Sequence, residues 1–392
     1  FSRHATLADM LVSLCRTFYL YEQWEDFGRV CEHINAITAP EDPLQTQPQV
    51  DPESEGAEGE AAKTINPKVI LDGPLAENIR STAMVIKCCR AVETENGSTK
   101  SIKELSSALK QDSKYEDVDL AIDVSLLLCK YSQIIISDAC KEVDRMAANA
   151  HKLYKQKKRR NQKSGHKLSS TSLQASQSPQ QVSYEAEDYD MELISVAKLA
   201  LFCVDKAFRE TDFDDISLRL RTAIQLGIIT ERLLYAGTYG YVGANIEDEE
   251  KAVDALTTSV QAAAAFRSEA IISSVGKGET EPIVAFVGCL QVDAISLQFR
   301  IQLTAAQFRD KTDKQNQPVS HLRMAENKIA NLCSKNVYWL SLFYMQYACV
   351  HADRSKIPSL MLESLRHLQD LTGKGAGDGK SMEAESSAGP VS

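Results

Sequence analysis

The chain has 392 residues, of which 43% are apolar and 25% are charged, with 18 glycines and 11 prolines. These fractions are typical of a globular protein and exclude a collagen, a coiled-coil fibre and a wholly disordered chain. The formal net charge of -10 disfavours a general surface for nucleic acids or other polyanions. We therefore expect protein partners and regard nucleic acid as an unlikely one.

Residues 1–39 predict a helical hairpin. Apolar side chains recur at helical spacing on both sides of a short acidic turn at Glu22–Asp26. They are Leu7, Leu11, Leu14 and Phe18 before the turn and Phe27, Val30, Ile34 and Ile37 after it. The chain begins at Phe1 without the pattern of a signal peptide, so we interpret it as a segment of a longer protein.

The composition changes in residues 40–67. Glu41–Glu60 holds seven acidic residues and no basic one, together with several prolines and glutamines. So few bulky apolar side chains cannot bury enough surface to offset the entropy lost on ordering. We predict an acidic disordered loop over 40–67.

Residues 68–160 predict a second helical block. Pro74 suits the first turn of a helix, and Ser101 with Glu104 has the spacing of a capping box. One long helix is predicted from about Asp117 into Tyr154. Its apolar side chains lie on several faces, as expected of a helix buried between neighbours.

A basic run lies where this block meets residues 161–187, which we predict to be a linker, basic at first and then rich in Ser and Gln. The basic residues of interest are Lys157, Lys158, Arg159, Arg160, Lys163 and Lys167. Such a run is compatible with a nuclear-import signal, with a polyanion-binding segment, or simply with a solvated helix end.

Residues 188–372 predict a helical array, followed by a disordered tail over 373–392. Apolar stripes of 3.6-residue period mark successive helices, the last of them by Met361, Leu365 and Leu368, which should be buried like the others. No alternating strand of useful length is found. The helix starts are unevenly spaced, which favours an all-α fold of the irregular α-solenoid type, built from antiparallel helical pairs with disordered inserts.

An aromatic cluster stands out in this array. Its members are Tyr338, Trp339, Phe343, Tyr344 and Tyr347. They could anchor a partner, but they surround their helix on all sides, which favours core packing. The same apolar window, Val337–Val350, is too short to cross a bilayer, so we predict no membrane span.

Known catalytic and ligand-binding patterns are not found. The glycines of Gly237–Gly243 lack the spacing of a phosphate-binding loop, and the adjacent Cys88 and Cys89 lack the spacing of zinc ligands. The ten cysteines, scattered through helical patterns, are expected to be reduced core thiols. We expect no enzyme, no catalytic residue, no cofactor and no metal.

The segment Phe18–Phe27 resembles the junction of a tetratricopeptide hairpin, with an aromatic residue ending one helix and an acidic turn opening the next, and Phe208–Ile216 is similar. With the acidic and Ser/Gln-rich inserts, the chain resembles the large helical-repeat cilia- and flagella-associated scaffold proteins of the axonemal central apparatus. This resemblance implies a non-catalytic, microtubule-associated role in motile cilia, with axonemal protein partners and a cytoplasmic, cytoskeletal location.

Two other functions stay open. One is a cytoplasmic or nuclear helical-repeat adaptor that uses the basic run as an import or polyanion-binding segment. The other is an unrecognised helical enzyme, because side chains distant in sequence can meet in space without leaving a motif.

Overall fold

A computed structural model describes residues 3–38, 73–111, 118–164, 189–240, 245–274, 282–312, 320–334, 336–350 and 354–377. Helix accounts for 92% of the described residues, and no strand occurs among them. The prediction of an all-α fold is confirmed. The loop predicted at 40–67 lies outside the described residues, as do residues 165–187 of the predicted linker and 378–392 of the predicted tail.

The contacts divide the chain into two units, residues 1–114 and 115–392. The described helices of the N-terminal unit are α1 (Arg3–Leu20), α2 (Trp24–Thr38), α3 (Pro74–Thr94) and α4 (Thr99–Gln111). Those of the C-terminal unit are α5 (Val118–Tyr131), α6 (Gln133–Ser164), α7 (Met191–Glu210), α8 (Ile216–Thr238), α9 (Ile246–Ser274), α10 (Pro282–Thr312), α11 (His321–Cys333), α12 (Val337–Val350) and α13 (Ile357–Gly377). A 3₁₀ turn, Arg354–Lys356, precedes α13.

In the N-terminal unit, α1 and α2 form a hairpin and α3 packs against both. The turn is tight because Glu22 adopts a left-handed conformation (φ 55°) and the Gln23 N–H donates to the Phe18 carbonyl at 2.8 Å. The Arg90 guanidinium of α3 lies 4.8 Å from the centre of the Trp24 ring, a cation–π contact that links α3 to the start of α2.

The unit boundary at 114/115 falls inside the block that the sequence groups as residues 68–160. The reason is packing: α3 contacts α1, α2 and α4, whereas α5 packs against α7, and α6 against α7 and α8. The second half of the predicted block therefore belongs with the residues that follow the linker.

The single long helix predicted from Asp117 into Tyr154 is wrong. Two helices, α5 and α6, meet at Ser132 with a bend of 54°. The Ser132 hydroxyl donates to the carbonyl of Leu128, four residues earlier. A serine that bonds back to its own helix in this way often accompanies a bend.

The start of α4 also differs from the prediction. Ser98, not Ser101, caps the helix, because the Ser98 hydroxyl accepts the Ser101 N–H at 3.1 Å. Ser101 lies inside α4 and is buried. A serine does cap this helix, but it lies three residues before the predicted one.

In the C-terminal unit, α9 and α10 run antiparallel, whereas α8 and α10 run parallel. Between α9 and α10, Gln298 bonds to Thr257 and Arg309 pairs with Glu249. Residue numbers thus fall along α9 as they rise along α10, as in an antiparallel pair. Between α8 and α10, Arg221 contacts the Phe286 ring and Glu231 pairs with Arg300. Residue numbers thus rise along both helices in the same direction, as in a parallel pair.

The same relation holds between α6 and α8. Arg232 pairs with Asp144 at 3.0 Å, and Tyr235, further along α8, meets His151 further along α6. Helices α6, α8 and α10 are thus parallel neighbours, as expected of helical pairs that stack on one another.

Helix α10 is long and apolar enough by composition to cross a membrane, and the bent pair α5–α6 passes the same test when its helices are taken together. The apolar window that the sequence singles out for this role, Val337–Val350, is α12 and is too short to cross a bilayer. In the structure α10 packs against α8, α9, α11 and α12, and such a position gives a helix the same composition.

Neighbouring helices crowd closely around Gly227 of α8. A Cβ atom there would lie 2.7 Å from Leu297 Cδ2 and 3.2 Å from both Ile301 Cδ1 and Leu256 Cδ1. A larger residue at this position would force the side chains of Leu297, Ile301 and Leu256 to move, so the glycine suits the close packing of α8 against α9 and α10.

We predict that Gly227→Val lowers the free energy of unfolding by about 1–3 kcal/mol, because the added methyl groups overpack a buried contact. Gly28→Ala in α2 is the control, since nothing lies within 4 Å of its Cβ position. That change should stabilise the protein by up to about 1 kcal/mol through helix propensity. Urea unfolding followed by circular dichroism measures both, and an unaffected Gly227→Val protein would refute the close packing.

Candidate interaction site

The aromatic residues of α12 divide between core and surface. Phe343 is fully buried and Tyr347 nearly so. Their rings stack with centroids 5.8 Å apart, and Phe343 meets Phe299 of α10 edge to face at 5.9 Å. These two side chains join α12 to α10.

Of the remaining predicted anchors, Trp339 and Tyr344 are partly buried against the same cluster. Tyr344 stacks on His367 of α13, with centroids 5.6 Å apart and ring planes 15° from parallel. Tyr338 is 43% exposed. Four of the five aromatic residues thus pack inside the unit, and Tyr338 is the exposed member.

Two serines bring α12 and α13 together. The Ser341 hydroxyl donates to the Ser364 carbonyl at 3.0 Å, and the Ser364 hydroxyl donates to the Ser341 carbonyl at 2.9 Å. Both side chains are buried. Because serine is small and its hydroxyl is satisfied here, the two helices approach closely without stranding a polar group.

The apolar face of α13 is wider than the strip that α12 covers. Met361, Leu362, Leu365 and Leu368 are 44%, 67%, 54% and 40% exposed, respectively. Their spacing of i, i+1, i+4 and i+7 places them along one side of the helix, next to the buried Ser364. We call these four residues the α13 stripe.

The α13 stripe corrects the prediction that Met361, Leu365 and Leu368 are buried. The helix was predicted where it occurs, and it continues to Gly377, into the first residues of the predicted tail. The stripe is exposed because Ser364 and His367 face α12, which leaves the stripe on a side of α13 that α12 does not cover.

The predicted basic run lies at the end of α6. Lys157, Lys158, Arg159, Arg160 and Lys163 fall within its last turns, and Arg159 is exposed. The side chains of the other four, and the whole of Lys167, lie outside what the structure describes. The run and the α13 stripe are carried by different helices.

A cluster of aromatic rings around a lysine was not predicted. Lys311, near the end of α10, places its ammonium 4.3 Å from the ring centre of Tyr239 and 5.1 Å from that of Tyr154. Beside them the Tyr235 hydroxyl and His151 Nδ1 are hydrogen-bonded at 3.1 Å. Tyr154 and His151 belong to α6, Tyr235 belongs to α8, and Tyr239 directly follows α8.

Burial lowers the pKa of Lys311 and raises that of Tyr239 above its usual range. Both shifts have the same cause: burial removes water, and this disfavours the charged form of each group, the lysine ammonium and the tyrosine phenolate. The tyrosine faces replace part of the lost solvation of the ammonium through cation–π attraction, worth about 0.5–2 kcal/mol. This cluster ties α10 to α6 and α8.

A second unpredicted cluster surrounds Asp205 of α7, whose side chain is 1% exposed. Arg209 of the same helix lies 3.0 Å from its carboxylate and also pairs with Asp254 of α9, and the buried Arg219 of α8 acts on it electrostatically. Burial raises the pKa of Asp205 from about 3.8 to about 6, because desolvation outweighs the two arginines.

We predict that the folded protein gains stability as the pH falls from 7 to 5. A carboxyl group with a raised pKa binds a proton more tightly in the folded state, so its contribution grows below pH 6 and levels off below the unfolded value near 3.8. The gain between pH 7 and 5 should be about 1 kcal/mol relative to Asp205→Asn, in which this group cannot titrate.

The measurement is urea unfolding of both proteins at matched pH values, so that groups other than Asp205 cancel in the difference. Asp138→Asn on α6 is a suitable control, because that carboxylate is about half exposed and is not among the charges that act on Asp205. Parallel curves for the wild type and Asp205→Asn would rule out the raised pKa.

Within the described ranges, no group of three or more His, Cys, Asp and Glu side chains is placed to hold a metal ion. All ten cysteines are free, and they differ in burial: Cys289 and Cys349 are exposed, whereas Cys15, Cys88, Cys89, Cys203 and Cys333 are buried. The prediction of core thiols thus holds for half of them and fails for two.

Comparison with protein-family models, with curated proteins and with solved structures finds no match for this chain.

Proposed function

We propose that the chain is a non-catalytic scaffold segment that binds other proteins through its C-terminal unit. The observation that carries this proposal is the α13 stripe, four large apolar side chains exposed side by side on one helix. Contiguous apolar surface of this kind is typical of protein interaction sites.

The packing beneath the stripe suits a scaffold. α13 is fixed on α12 by the reciprocal Ser341 and Ser364 hydrogen bonds, and α12 is fixed on α10 by Phe343. A surface held in place before binding loses little conformational entropy on association, which favours affinity.

The occupant that fits the stripe is an apolar helix of another protein. A helix presents side chains at i, i+4 and i+7 along one line, as Met361, Leu365 and Leu368 do, and a partner helix with the same spacing can lie along them. Glu363 lies on the opposite side of α13, where it is engaged with Arg366 and His367, so its negative charge does not border the stripe.

The axonemal central apparatus of motile cilia is the setting proposed for this binding. Its basis is the resemblance of the irregular helical pairs, the tetratricopeptide-like junction at Phe18–Phe27 and the acidic and Ser/Gln-rich inserts to those of ciliary scaffold proteins. In that setting the partners are axonemal proteins, and the location is cytoskeletal within the cytoplasm and the cilium.

We predict that Leu365→Glu reduces the recovery of axonemal proteins from ciliated-cell extract by about tenfold or more, as expected when a charge is placed at the centre of an apolar contact. The full chain is used as bait, and bound proteins are quantified by mass spectrometry. Met84→Glu is the matched control, because Met84 is also an exposed apolar residue (51%) but lies on α3.

The Met84→Glu bait should recover the same proteins as the wild type. Equal recovery by all three baits would reject the α13 stripe as the binding surface. Loss of binding only when Lys157, Lys158, Arg159 and Arg160 are changed to Ala would support the adaptor alternative. Circular dichroism of each bait shows whether the helices remain intact.

A further inference from the structure

Two tyrosine rings form a corner around the lysine near the end of α10. Tyr154 of α6 and Tyr239, which follows α8, lie with ring centres 5.0 Å apart and ring planes 54° from parallel. The Lys311 ammonium lies over both rings, 4.3 Å from the Tyr239 ring centre and 5.1 Å from that of Tyr154. Two ring faces thus meet one cation, as in the aromatic cages that recognise methylated ammonium groups.

Neighbouring side chains hold this corner in place. The Tyr235 and His151 rings pack edge to face against Tyr239, at centroid distances of 5.0 Å and 5.5 Å. The Tyr235 hydroxyl and His151 Nδ1 are in turn hydrogen-bonded at 3.1 Å. The Tyr239 N–H donates to the Ala236 carbonyl at 3.0 Å, which holds the backbone at the end of α8. The position of the Tyr239 ring is therefore set by α6 and α8, and Lys311 reaches it from α10.

The ring faces attract the charge of Lys311 but are not conventional acceptors for its N–H groups. An ammonium carries three donors, and cation–π attraction acts on the positive charge. Methylation keeps that charge and replaces N–H groups by methyl groups. Methyl groups gain from contact with the ring faces, whereas a partly buried N–H costs free energy unless it is hydrogen-bonded. The corner therefore suits a methylated lysine better than an unmodified one.

The amine of Lys311 is accessible to an enzyme. Lys311 is the last residue but one of α10, its side chain is partly exposed, and the neighbouring Tyr154 is 42% exposed. Burial lowers the pKa of Lys311, so a larger fraction of its amine is neutral than in a fully solvated lysine. The neutral amine is the nucleophilic form.

We propose that Lys311 is a lysine N-methylation site, and that the methylated side chain binds more tightly between Tyr154 and Tyr239 than the unmodified one does. The modification fastens α10 to α6 and α8 without a change of net charge. The proposal does not rest on the protein binding proposed for α13.

The step is a methyl transfer from a sulfonium donor, held by a methyltransferase, to the Nζ atom of Lys311. The nitrogen lone pair attacks the methyl carbon. The nitrogen–carbon bond forms as the carbon–sulfur bond breaks, and the electron pair of that bond stays on sulfur, which leaves as a neutral thioether. The nitrogen becomes a cationic secondary ammonium, and loss of a proton to water allows a further transfer. Neither an oxidant nor a reductant is needed.

The first test maps lysine methylation by mass spectrometry on the full chain isolated from eukaryotic cells. Lys251 is the matched control, because it is exposed and its ammonium lies 5.7 Å from the centre of the Phe202 ring. We expect the methylated fraction at Lys311 to exceed that at Lys251 by about tenfold or more. A methylated fraction at Lys311 no higher than at Lys251, including none at either position, would overturn the proposal.

The second test inserts monomethyl-lysine or acetyl-lysine at position 311 of the full chain by stop-codon suppression. Both modifications add apolar atoms, but only acetylation removes the charge. Relative to lysine, we expect methyl-lysine to raise the Tm of the C-terminal unit by about 1 °C or more and acetyl-lysine to lower it by about 2 °C or more. Methyl-lysine at position 251 should shift the Tm by less than about 0.5 °C.

Tyr154→Leu separates recognition by the rings from general effects of the modification. It removes one ring face but keeps an apolar side chain at an exposed position. The difference in Tm between methyl-lysine and acetyl-lysine at position 311 should then fall by about half. Tyr131→Leu on α5, whose ring lies 4.9 Å from the Lys130 ammonium, is the control and should leave that difference unchanged. Equal Tm values for the two modifications, or a difference that Tyr154→Leu does not reduce, would show that the rings do not recognise the ammonium.

Discussion

The C-terminal unit depends on the close packing of α8 against α10. Gly227 lets the helices approach at one level, and one turn further along α8 the nearly buried Glu231 pairs with Arg300 at 3.1 Å. The two features lie on the same face of α8, four residues apart. The glycine sets the distance between the helices. The ion pair fixes their register, since a shift along the axis would leave a buried carboxylate without its partner.

The same device recurs between other helices of this unit. Arg309 reaches Glu249 across α10 and α9, and Lys198 reaches Asp248 across α7 and α9. Buried ion pairs add little stability, because desolvation offsets most of the attraction, but breaking one is costly. Such pairs therefore oppose a shift of α9 along α7 or α10, because a shift would separate the partners.

The helices could be predicted from the sequence because a 3.6-residue period reports which side of a helix is apolar. The period does not report what covers that side, so Met361, Leu365 and Leu368 were assigned to a core although α13 leaves them exposed. The bend at Ser132 was missed for a related reason: the apolar pattern continues through it, and only the hydroxyl bond to Leu128 marks the break. The lysine–tyrosine cluster and the Asp205 cluster each contain side chains from three helices. The spacing of residues along one sequence does not indicate which distant side chains come into contact.

Binding by the α13 stripe depends on apolar area, which changes little with pH. The Asp205 carboxyl group lies in the interior of the same unit, and its raised pKa makes the stability of the fold the property that depends on pH. The two properties can therefore be changed separately. A charge at the exposed Leu365 removes apolar surface without entering the core, whereas Asp205→Asn removes a buried titrating group on another helix.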